Sequence, residues 1–485
     1  MTVGQLIRKG LFGVLNSGNE DSVINNVFSC DLLSLAMTKD LDGCAWFTVI
    51  GNVNTIAVAA HTGASCVVLC EKRRSIILLC SFRINRFSIR RRSFMPLRMC
   101  KINKGDFKMS DFTNFAVYHI YPLGFCGCPK TNDYSENTEN RLKKIEDAIP
   151  HIKEMGFNAI YFGPVFQSVA HGYDTVDYTK IDSRLGTNAD FAALCKKLHE
   201  NGIKVILDGV FNHVGRDFTK FVEVRNGNNS YRDWFHINDG NSCYNDGFWY
   251  EGWEGHYELV KLNLYNPAVK EYLKEVITGW VKEFDIDGLR LDVAYCLDLN
   301  FLKELHGHCK WLKNDFWLMG ETLHGDYNRW MNPEMLDSVT NYECYKGLFS
   351  SFNDLNMFEI AHSLNRQFGK EQWCLYTGKL LYSFVDNHDV SRIATMLNNK
   401  RQLPVIYPLL FTMPGIPGVY YGSEYGIEGD KHNGDDALRV EYNEEKFRAE
   451  GIADLTAEIA ALCNLRTSSK ALAHGDYTPL QLLNR

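Results

Sequence analysis

The sequence predicts a closed barrel of eight parallel strands, each followed by a helix. From Phe115 onward, short apolar runs alternate with longer amphipathic segments, the pattern of repeated strand–helix units around a parallel sheet. Eight such runs fit between Phe115 and Tyr421. Polar residues follow several of these runs directly, and a barrel gathers such residues at the carboxyl ends of its strands. At 485 residues, the chain is long enough for one large barrel with additions.

Composition narrows the classes of function. The chain is 45% hydrophobic and 23% charged, as in ordinary soluble globular proteins. Its net charge of −7 argues against nucleic acid as the main partner. The uncharged stretch Ala45–Cys70 is diluted by polar residues and makes a poor membrane span, so no membrane partner is expected.

Cysteine usage indicates the compartment. The 15 cysteines include no Cys-x-x-Cys pair, which argues against a zinc site, and their odd number argues against a complete disulfide framework. Mostly reduced thiols favour the interior of a cell. Residues Met1–Gly18 lack the continuous apolar core and the cleavage site of a secretory signal. A cytoplasmic protein is therefore expected.

Three regions are expected along the chain. Residues 1–108 form an atypical basic, Cys-rich extension, with arginines concentrated between Arg83 and Arg98. A nucleic-acid or membrane-surface arm and a poorly ordered extension are both compatible with it, and Met109 is interpreted as the natural start. Residues 109–465 hold the barrel. Residues 466–485 would begin a truncated C-terminal β region, with a strand at Tyr477–Leu483.

The first half of the barrel is predicted from apolar runs and from the residues that end its helices. Gly156 ends the first helix, and Asn201-Gly202 ends the second. The section from 211 to about 264 is too long for a simple connection and predicts a small inserted domain after strand three. Its aromatic residues are interpreted mostly as the core of that insertion. The expected elements are strands Phe115–Tyr121, Asn158–Phe162 and Lys204–Asp208, and helices Glu139–Met155 and Asn188–Glu200.

The second half of the barrel begins with a helix that starts at a proline. Strands four and five lie within Ile286–Ala294 and Phe316–Glu321, and each carries a carboxylate at its carboxyl end. The remaining expected elements are helices Pro267–Phe284 and Leu299–Leu312, and strands Ser338–Asn341, Leu381–Val385 and Gly418–Tyr421.

Four polar clusters follow strands three, four, five and seven. Any one of them has a structural explanation, because an Asp after a strand often caps a helix and a single His is often a satisfied structural side chain. Together on one barrel face they predict an active site. Two acids on neighbouring strand ends are what glycoside cleavage needs, one as nucleophile and one as proton donor. The clusters are Asp208 to His213, Arg290-Leu-Asp292, Glu321, and Asp386 to Arg392.

In this order, the clusters resemble the signature regions of the α-amylase superfamily of glycoside hydrolases. The resemblance covers residues 115 to about 465. The loop His171–Asp174 and the string Glu258–Asn263 are similar to two further family regions. The strings Asn226–Phe235 and Pro414–Gly422 are similar to the neopullulanase and cyclomaltodextrinase branch and to intracellular maltodextrin-degrading relatives.

This resemblance implies the roles of the acids. Asp292 would be the nucleophile, Glu321 the general acid/base, and Asp389 the third carboxylate that grips sugar hydroxyls. An α-linkage would be cleaved with retention through a covalent glycosyl-enzyme ester. Arg290 is expected to keep Asp292 ionised, whereas nearby acids and burial keep Glu321 protonated.

The resemblance also implies the sugar contacts. His213 and His388 would donate hydrogen bonds to hydroxyls, and Tyr173 would stack on the ring. Asp174 and Arg392 are expected to pair across the pocket and close its non-reducing end, the alternative being a salt bridge at the rim.

No cofactor is required for this chemistry. A structural calcium ion stays open, because many relatives bind one through the residue that corresponds to Asn212. Carboxylates near Asp239 and Asp246 could contribute, but their spacing matches no calcium loop.

The predicted function is a retaining hydrolase of α-1,4-glucans, acting on maltodextrins, starch fragments or cyclodextrins. One alternative is a transglycosylase of the same mechanism, and another is a non-catalytic carbohydrate-binding barrel. A metal-dependent barrel hydrolase is disfavoured because His119 stands alone at strand one. The family's terminal β-sandwiches are not evident in this sequence. The oligomeric state is left open.

Overall fold

The computed structural model describes two compact units, residues 1–105 and residues 106–485. In the second unit it describes residues 112–479 except 136 and 137. In the first unit it describes residues 2, 3, 5, 13–16, 20–29, 44–48, 59, 64–71 and 74–78.

The described part of the first unit contains a five-stranded sheet. No strand was predicted in this region. Three neighbouring pairs are parallel, and the central pair, Cys66–Glu71 with Arg74–Leu78, is antiparallel. In spatial order the strands are Gly13–Asn16, Arg74–Leu78, Cys66–Glu71, Cys44–Thr48 and Asn26–Ser29. The arginine-rich run and Met109 lie outside the described residues.

The second unit is a parallel eight-stranded barrel, which confirms the predicted fold class. Neighbours in the sheet follow the order 6-5-4-3-2-1-8-7. A parallel bridge between Thr340 and Tyr382 joins strands six and seven and closes the sheet. Strands one to eight are Val117–Ile120, Ala159–Phe162, Lys204–Gly209, Gly288–Leu291, Trp317–Gly320, Ser338–Val339, Tyr382–Ser383 and Ile416–Tyr420.

Strand register places the polar residues side by side. Asp208 on strand three pairs with Arg290 on strand four, and Leu291 pairs with Gly320 on strand five. Strand four packs closely against strand five at Gly288, where a Cβ atom would lie 2.5 Å from the carbonyl oxygen of Trp317. Any larger residue there would force strands four and five apart, so this glycine protects the register on which the site depends.

Helices cover the outside of the barrel. Three of them match the predicted limits at both ends, and each begins after a side chain that caps its N-terminus: Thr187, Asn266 and Asp298. The helices that follow strands one to four are Pro122–Phe125, Lys143–Glu154, Asn188–Glu200, Pro267–Phe284 and Leu299–Leu312, the first two of them after strand one. Those that follow strands six to eight are Tyr342–Asn353, Met357–Phe368, Ile393–Met396, Leu403–Thr412, Glu444–Glu450, Leu455–Ser468 and Lys470–His474.

The insertion after strand three forms as predicted. It holds helix Thr219–Arg225, a three-stranded sheet and a two-stranded sheet. The first sheet joins His213–Gly215, His256–Lys261 and Gly252–Trp253, and the second joins Ile237–Asn238 and Trp249–Tyr250. Trp234, Phe235, Phe248 and Tyr250 are buried, as expected of a core.

At the C-terminal side, the described chain ends without the expected strand. Tyr477 to Pro479 have no regular structure, and the rest of the predicted strand lies outside the described residues. Across all residues that the structure describes, each helix is too short or too polar to span a bilayer.

Candidate active site

A cavity of about 1090 Å³ opens at the carboxyl ends of the barrel strands. Asp292 and Glu321 directly follow strands four and five, and their backbone N–H groups extend the ladder to Gly209 O (3.1 Å) and Leu291 O (2.9 Å). The strand ends therefore fix where both carboxylates point. The lining includes three acids, Asp292, Glu321 and Asp389, and the side chains of Tyr121, Tyr173, His213, Trp253, Tyr295, Leu323 and Arg439.

Arg290 connects the acids. Its Nη1 lies 2.8 Å from Asp292 Oδ1 and 3.0 Å from both oxygens of Asp208. Its Nη2 lies 2.9 Å from Glu321 Oε1. The guanidinium is buried, so one cation holds three carboxylates in fixed positions.

The turn after Asp292 is strained. Val293 has a φ of +38°, an unfavourable conformation for a β-branched residue. In this conformation its backbone N–H donates to Glu321 Oε2 at 2.9 Å. Strain of this kind persists where the surrounding structure imposes it, commonly at active sites. Here the strained conformation allows a hydrogen bond between the residue after Asp292 and the carboxylate of Glu321.

Asp389 is held by a histidine and an arginine. His388 Nε2 lies 2.9 Å from its Oδ2, and Arg439 Nη2 lies 2.9 Å from its Oδ1. Tyr173 hydrogen bonds through its hydroxyl to His388 Nε2 and to Asp208 Oδ2. The predicted residues from strands two, three and seven therefore meet.

His213 approaches the same acids from the insertion side. Its Nε2 lies 3.9 Å from Asp292 Oδ2, and its ring lies 5.7 Å from that of Trp253. His213 Nε2 is buried, and the described residues offer it no hydrogen-bond partner. This nitrogen can therefore bind a group that enters the cavity.

Burial determines the charge of the acids. It raises the pKa of Asp292 to about 7, that of Asp208 to about 6, and that of Glu321 above its usual range, each against the attraction of Arg290. Arg290 favours the ionised form of Asp292, as expected, but burial outweighs this attraction and keeps the pKa above its usual range. Burial also pushes the pKa of Asp389 upward, but His388 and Arg439 outweigh it and hold that pKa well below its usual range.

The histidines of the site stay neutral. Burial lowers the pKa of His213 to about 3 and lowers that of His388 despite its contact with Asp389. His119 is buried as well, its ring stacked 4.2 Å from Tyr161, and burial holds its pKa well below the usual range. Neutral imidazoles can donate or accept hydrogen bonds without adding positive charge to the acids.

The predicted pair of Asp174 and Arg392 does not form. Arg392 is fully buried and donates to Tyr421 O (2.6 Å) and Leu438 O (2.8 Å), with its guanidinium 4.1 Å from the ring of Tyr420. It therefore fixes the turn after strand eight and does not reach the cavity. Asp174 accepts from the backbone N–H of Ala170 at 2.8 Å and closes the loop that carries Tyr173.

Arg439 was not predicted as a site residue, but it lines the cavity and contacts Asp389. Arg439 bridges Asp389 and Asp435, and its guanidinium lies 4.7 Å from the ring of Tyr121. Its only sequence signal is its position in the loop after strand eight. Trp253, one of the aromatic residues of the insertion that were interpreted mostly as core, lines the cavity.

The residues considered for calcium do not assemble around Asn212. Asn212 Nδ2 donates to His213 Nδ1 at 3.1 Å. Asp246 pairs with both terminal nitrogens of Arg216 at 2.9 Å, so each of its oxygens already accepts a hydrogen bond. Within the described residues no group of three or more His, Cys, Asp or Glu side chains could hold a metal ion.

Comparisons with known proteins agree with this geometry. The model of the α-amylase catalytic domain matches residues 119–457. The chain is 33% identical over 392 residues to the cyclomaltodextrinase of Thermoanaerobacter pseudethanolicus, covering 76% of this chain and 66% of the relative. It is 31% identical over 310 residues to the intracellular maltogenic amylase of Bacillus subtilis, covering 62% of this chain and 51% of the relative. The chain thus spans between about half and two thirds of the length of these relatives.

Solved structures share the fold. The ligand-free cyclic α-maltosyl-(1→6)-maltose hydrolase of Arthrobacter globiformis superposes with a TM-score of 0.66 at 26% identity, covering 76% of this chain and 86% of that one. The matched segment contains all eight barrel strands except the first two residues of strand one, together with Asp292, Glu321 and Asp389. Through this catalytic domain, the chain belongs to the α-amylase family.

Proposed function

We propose that the protein is a retaining α-glycoside hydrolase that cleaves α-1,4-glucosidic bonds of maltodextrins, starch fragments or cyclodextrins. The observation that carries this proposal is that one buried guanidinium, that of Arg290, forms ion pairs with both Asp292 and Glu321. Two carboxylates on one guanidinium are close enough for the short separation of about 5–5.5 Å that retention requires. Neighbouring strands set that separation, so it does not depend on a flexible loop.

In the first step, an oxygen of Asp292 attacks the anomeric carbon and forms a glycosyl ester. The glycosidic bond breaks, and Glu321 transfers its proton to the departing oxygen. The raised pKa values of both acids suit a pair that holds one proton near neutral pH. Ionised Asp292 then faces protonated Glu321.

In the second step, Glu321 takes a proton from water, and the water oxygen attacks the anomeric carbon on the face that the leaving group vacated. The ester bond to Asp292 breaks, and the configuration of the starting sugar is restored. Glu321 regains its proton, and Asp292 becomes a carboxylate again.

The remaining site residues would bind the reacting sugar. Asp389 is ionised, so it can accept hydrogen bonds from two neighbouring hydroxyls as the ring flattens. His213 offers its unpartnered nitrogen to a hydroxyl, and Tyr173 offers the face of its ring. His388 Nε2 already contacts Asp389 and Tyr173, so we assign it the positioning of those two groups as well as a sugar contact.

The names of the relatives support the substrate class. One is named for cyclomaltodextrins and another for maltose production, and both share the catalytic domain. Trp253, Tyr295 and Leu323 give one side of the cavity an apolar surface that suits sugar faces. The same surface favours transglycosylation as the second candidate, because it can hold an acceptor sugar where water would otherwise enter.

The proposed chemistry is carried by these side chains and needs no cofactor. Calcium remains a candidate only as a structural ion, and its ligands would be residues other than Asn212 and Asp246. We also propose a cytoplasmic location, because one relative is named intracellular and the described cysteines of the barrel unit are free thiols.

The test compares the protein with its Asp292→Asn variant on maltoheptaose and on a cyclodextrin. We expect sugar release by the protein and a loss of at least about 10⁴-fold in kcat for the variant, since the nucleophile is gone. Activity undiminished in the variant would overturn the assignment of Asp292. Products longer than the substrate from maltotriose would show transfer, and preference for the cyclodextrin would identify a cyclomaltodextrinase.

A further inference from the structure

We propose that Arg184 and Asp182 form a positioning pair that holds two walls of the substrate cavity in register without touching the substrate. This inference rests on the proposed function only for its activity readout. Both residues lie between strand two and helix Asn188–Glu200, and both are buried. Neither lines the cavity.

Asp182 is fully engaged. Its Oδ1 accepts from Arg184 Nε at 2.9 Å and from Asn132 Nδ2 at 3.1 Å. Its Oδ2 accepts from Arg184 Nη2 at 2.8 Å and from the backbone N–H and hydroxyl of Ser168 at 3.2 and 2.8 Å. The carboxylate therefore fixes the guanidinium on one side and the chain after strand two on the other.

Arg184 uses its remaining terminal nitrogen on backbone carbonyls from two different loops. Nη1 lies 3.0 Å from Pro129 O, 3.2 Å from Lys130 O and 2.7 Å from Ala170 O. All three acceptor residues line the cavity. Pro129 and Lys130 follow strand one, and Ala170 follows strand two, so one side chain sets the distance between two walls.

The second of these loops leads directly to the acids. Ala170 donates its N–H to Asp174, and His171 O accepts from the Tyr121 hydroxyl at 2.7 Å. Tyr173, between them, reaches Asp208 and His388. A shift of the Ala170 carbonyl would therefore move Tyr173 relative to Asp389.

The chemistry of arginine explains why the pair is suited to this task. A buried ion pair adds little stability compared with apolar residues of the same volume, so its value lies in fixed geometry. Arginine offers a rigid planar fork that can bind a carboxylate and several carbonyls at once. A lysine ammonium can neutralise Asp182, but one nitrogen atom cannot also reach carbonyls on both loops.

The experiment compares Arg184→Lys with a matched control, Arg216→Lys. Arg216 forms a similar two-nitrogen pair with Asp246, but that pair lies in the insertion and neither residue lines the cavity. We expect Arg184→Lys to lower kcat/KM on maltoheptaose by about 10²-fold, as small displacements at a site do, and the control to stay within about 2-fold of the unsubstituted protein. Thermal unfolding midpoints of both variants are measured alongside.

A second readout does not depend on activity. Hydrogen exchange at the backbone amides of residues 128, 130–132 and 168–174 should speed up in Arg184→Lys and stay unchanged in Arg216→Lys. Added guanidinium ion should restore part of the kcat/KM of Arg184→Ala. Unchanged exchange in both loops, or kcat/KM equal to the control in a folded Arg184→Lys, would overturn the proposal. If the unsubstituted protein has no glycosidase activity but Arg184→Lys still speeds up exchange in both loops, the proposed function is refuted and the positioning pair stands.

Discussion

At the scale of single residues, the site concentrates acids around one cation. Asp208, Asp292 and Glu321 all contact Arg290, and all four side chains are buried. Three carboxylates cannot all stay ionised beside a single guanidinium in a water-poor setting. The surplus acid keeps a proton, and a retained proton is what a general acid must supply.

The raised pKa of Asp292 predicts an effect of pH on stability. Its value of about 7 in the folded protein lies above the usual value near 4, so folding favours the protonated form. The contribution is fully present below about pH 4 and is lost as pH rises to about 7. We therefore expect Asp292→Asn, which mimics the protonated acid, to raise the unfolding midpoint at pH 8.

The same substitution should change the midpoint much less at pH 4.5, because this pH lies close to the pKa of unfolded Asp292 and little of the contribution is lost there. Full loss of the contribution corresponds to at most about 4 kcal/mol for a shift of about three pKa units. Scanning calorimetry of both proteins from pH 4.5 to 8 measures the difference. Equal changes at both pH values would show that Asp292 is ionised throughout.

At the scale of elements, neighbouring parallel strands do the work of positioning. Strands three, four and five present Asp208, Arg290 and Met319 in register, so Arg290 lies at one level with Asp208 and two residues before the level of Asp292 and Glu321. Gly288 permits the close packing of strands four and five that this register requires. The site is thereby built on rigid elements, whereas Tyr173 and Asp389 are brought in by loops.

Arg290 therefore stabilises strand four as well as the site. Replacing it with leucine removes the cation and leaves Asp208, Asp292 and Glu321 buried without compensation, which should cost about 3–5 kcal/mol of unfolding free energy. Urea titration at pH 7 measures that cost.

Lowering the pH protonates the acids that have lost their cation, so the loss of unfolding free energy in Arg290→Leu should shrink toward pH 5. Arg216→Leu is the matched control, because Arg216 pairs with the partly buried Asp246 outside the cavity. A deficit no larger in Arg290→Leu than in the control would contradict the role given to the acid cluster.

At the scale of the whole molecule, the cavity draws on the barrel unit. Among the residues that the structure describes, its lining runs from Tyr121 in sequence to Glu441. We therefore propose that residues 1–108 are dispensable for the chemistry. Met109 remains our proposed natural start, which N-terminal sequencing of the native protein would test.

A chain that begins at Met109 should keep kcat/KM on maltoheptaose within about 2-fold of the full chain, because every described residue that we assign to binding or reaction lies after Met109. The full chain, purified in parallel, is the control. Loss of activity in a shortened chain with native circular dichroism would show that the five-stranded unit contributes to the site.

Local sequence patterns predicted most of the barrel. The helices Asn188–Glu200, Pro267–Phe284 and Leu299–Leu312 have the predicted limits because capping residues mark their starts. Strands six and seven are shorter than predicted, since an apolar run shows that a segment is buried but not how far its neighbour pairs with it.

The sequence by itself determined where the acids lie: counting strands puts Asp292, Glu321 and Asp389 on one face, because all parallel strands of a barrel end there. Only the tertiary structure decided which cation serves which acid. It buried Arg392 under strand eight, brought Arg439 to Asp389, and directed Arg184 at two loops. Those contacts join segments from 14 to more than 50 residues apart, and the burial and charged neighbours that they bring together set the pKa values of the site. Local periodicity carries no information about either.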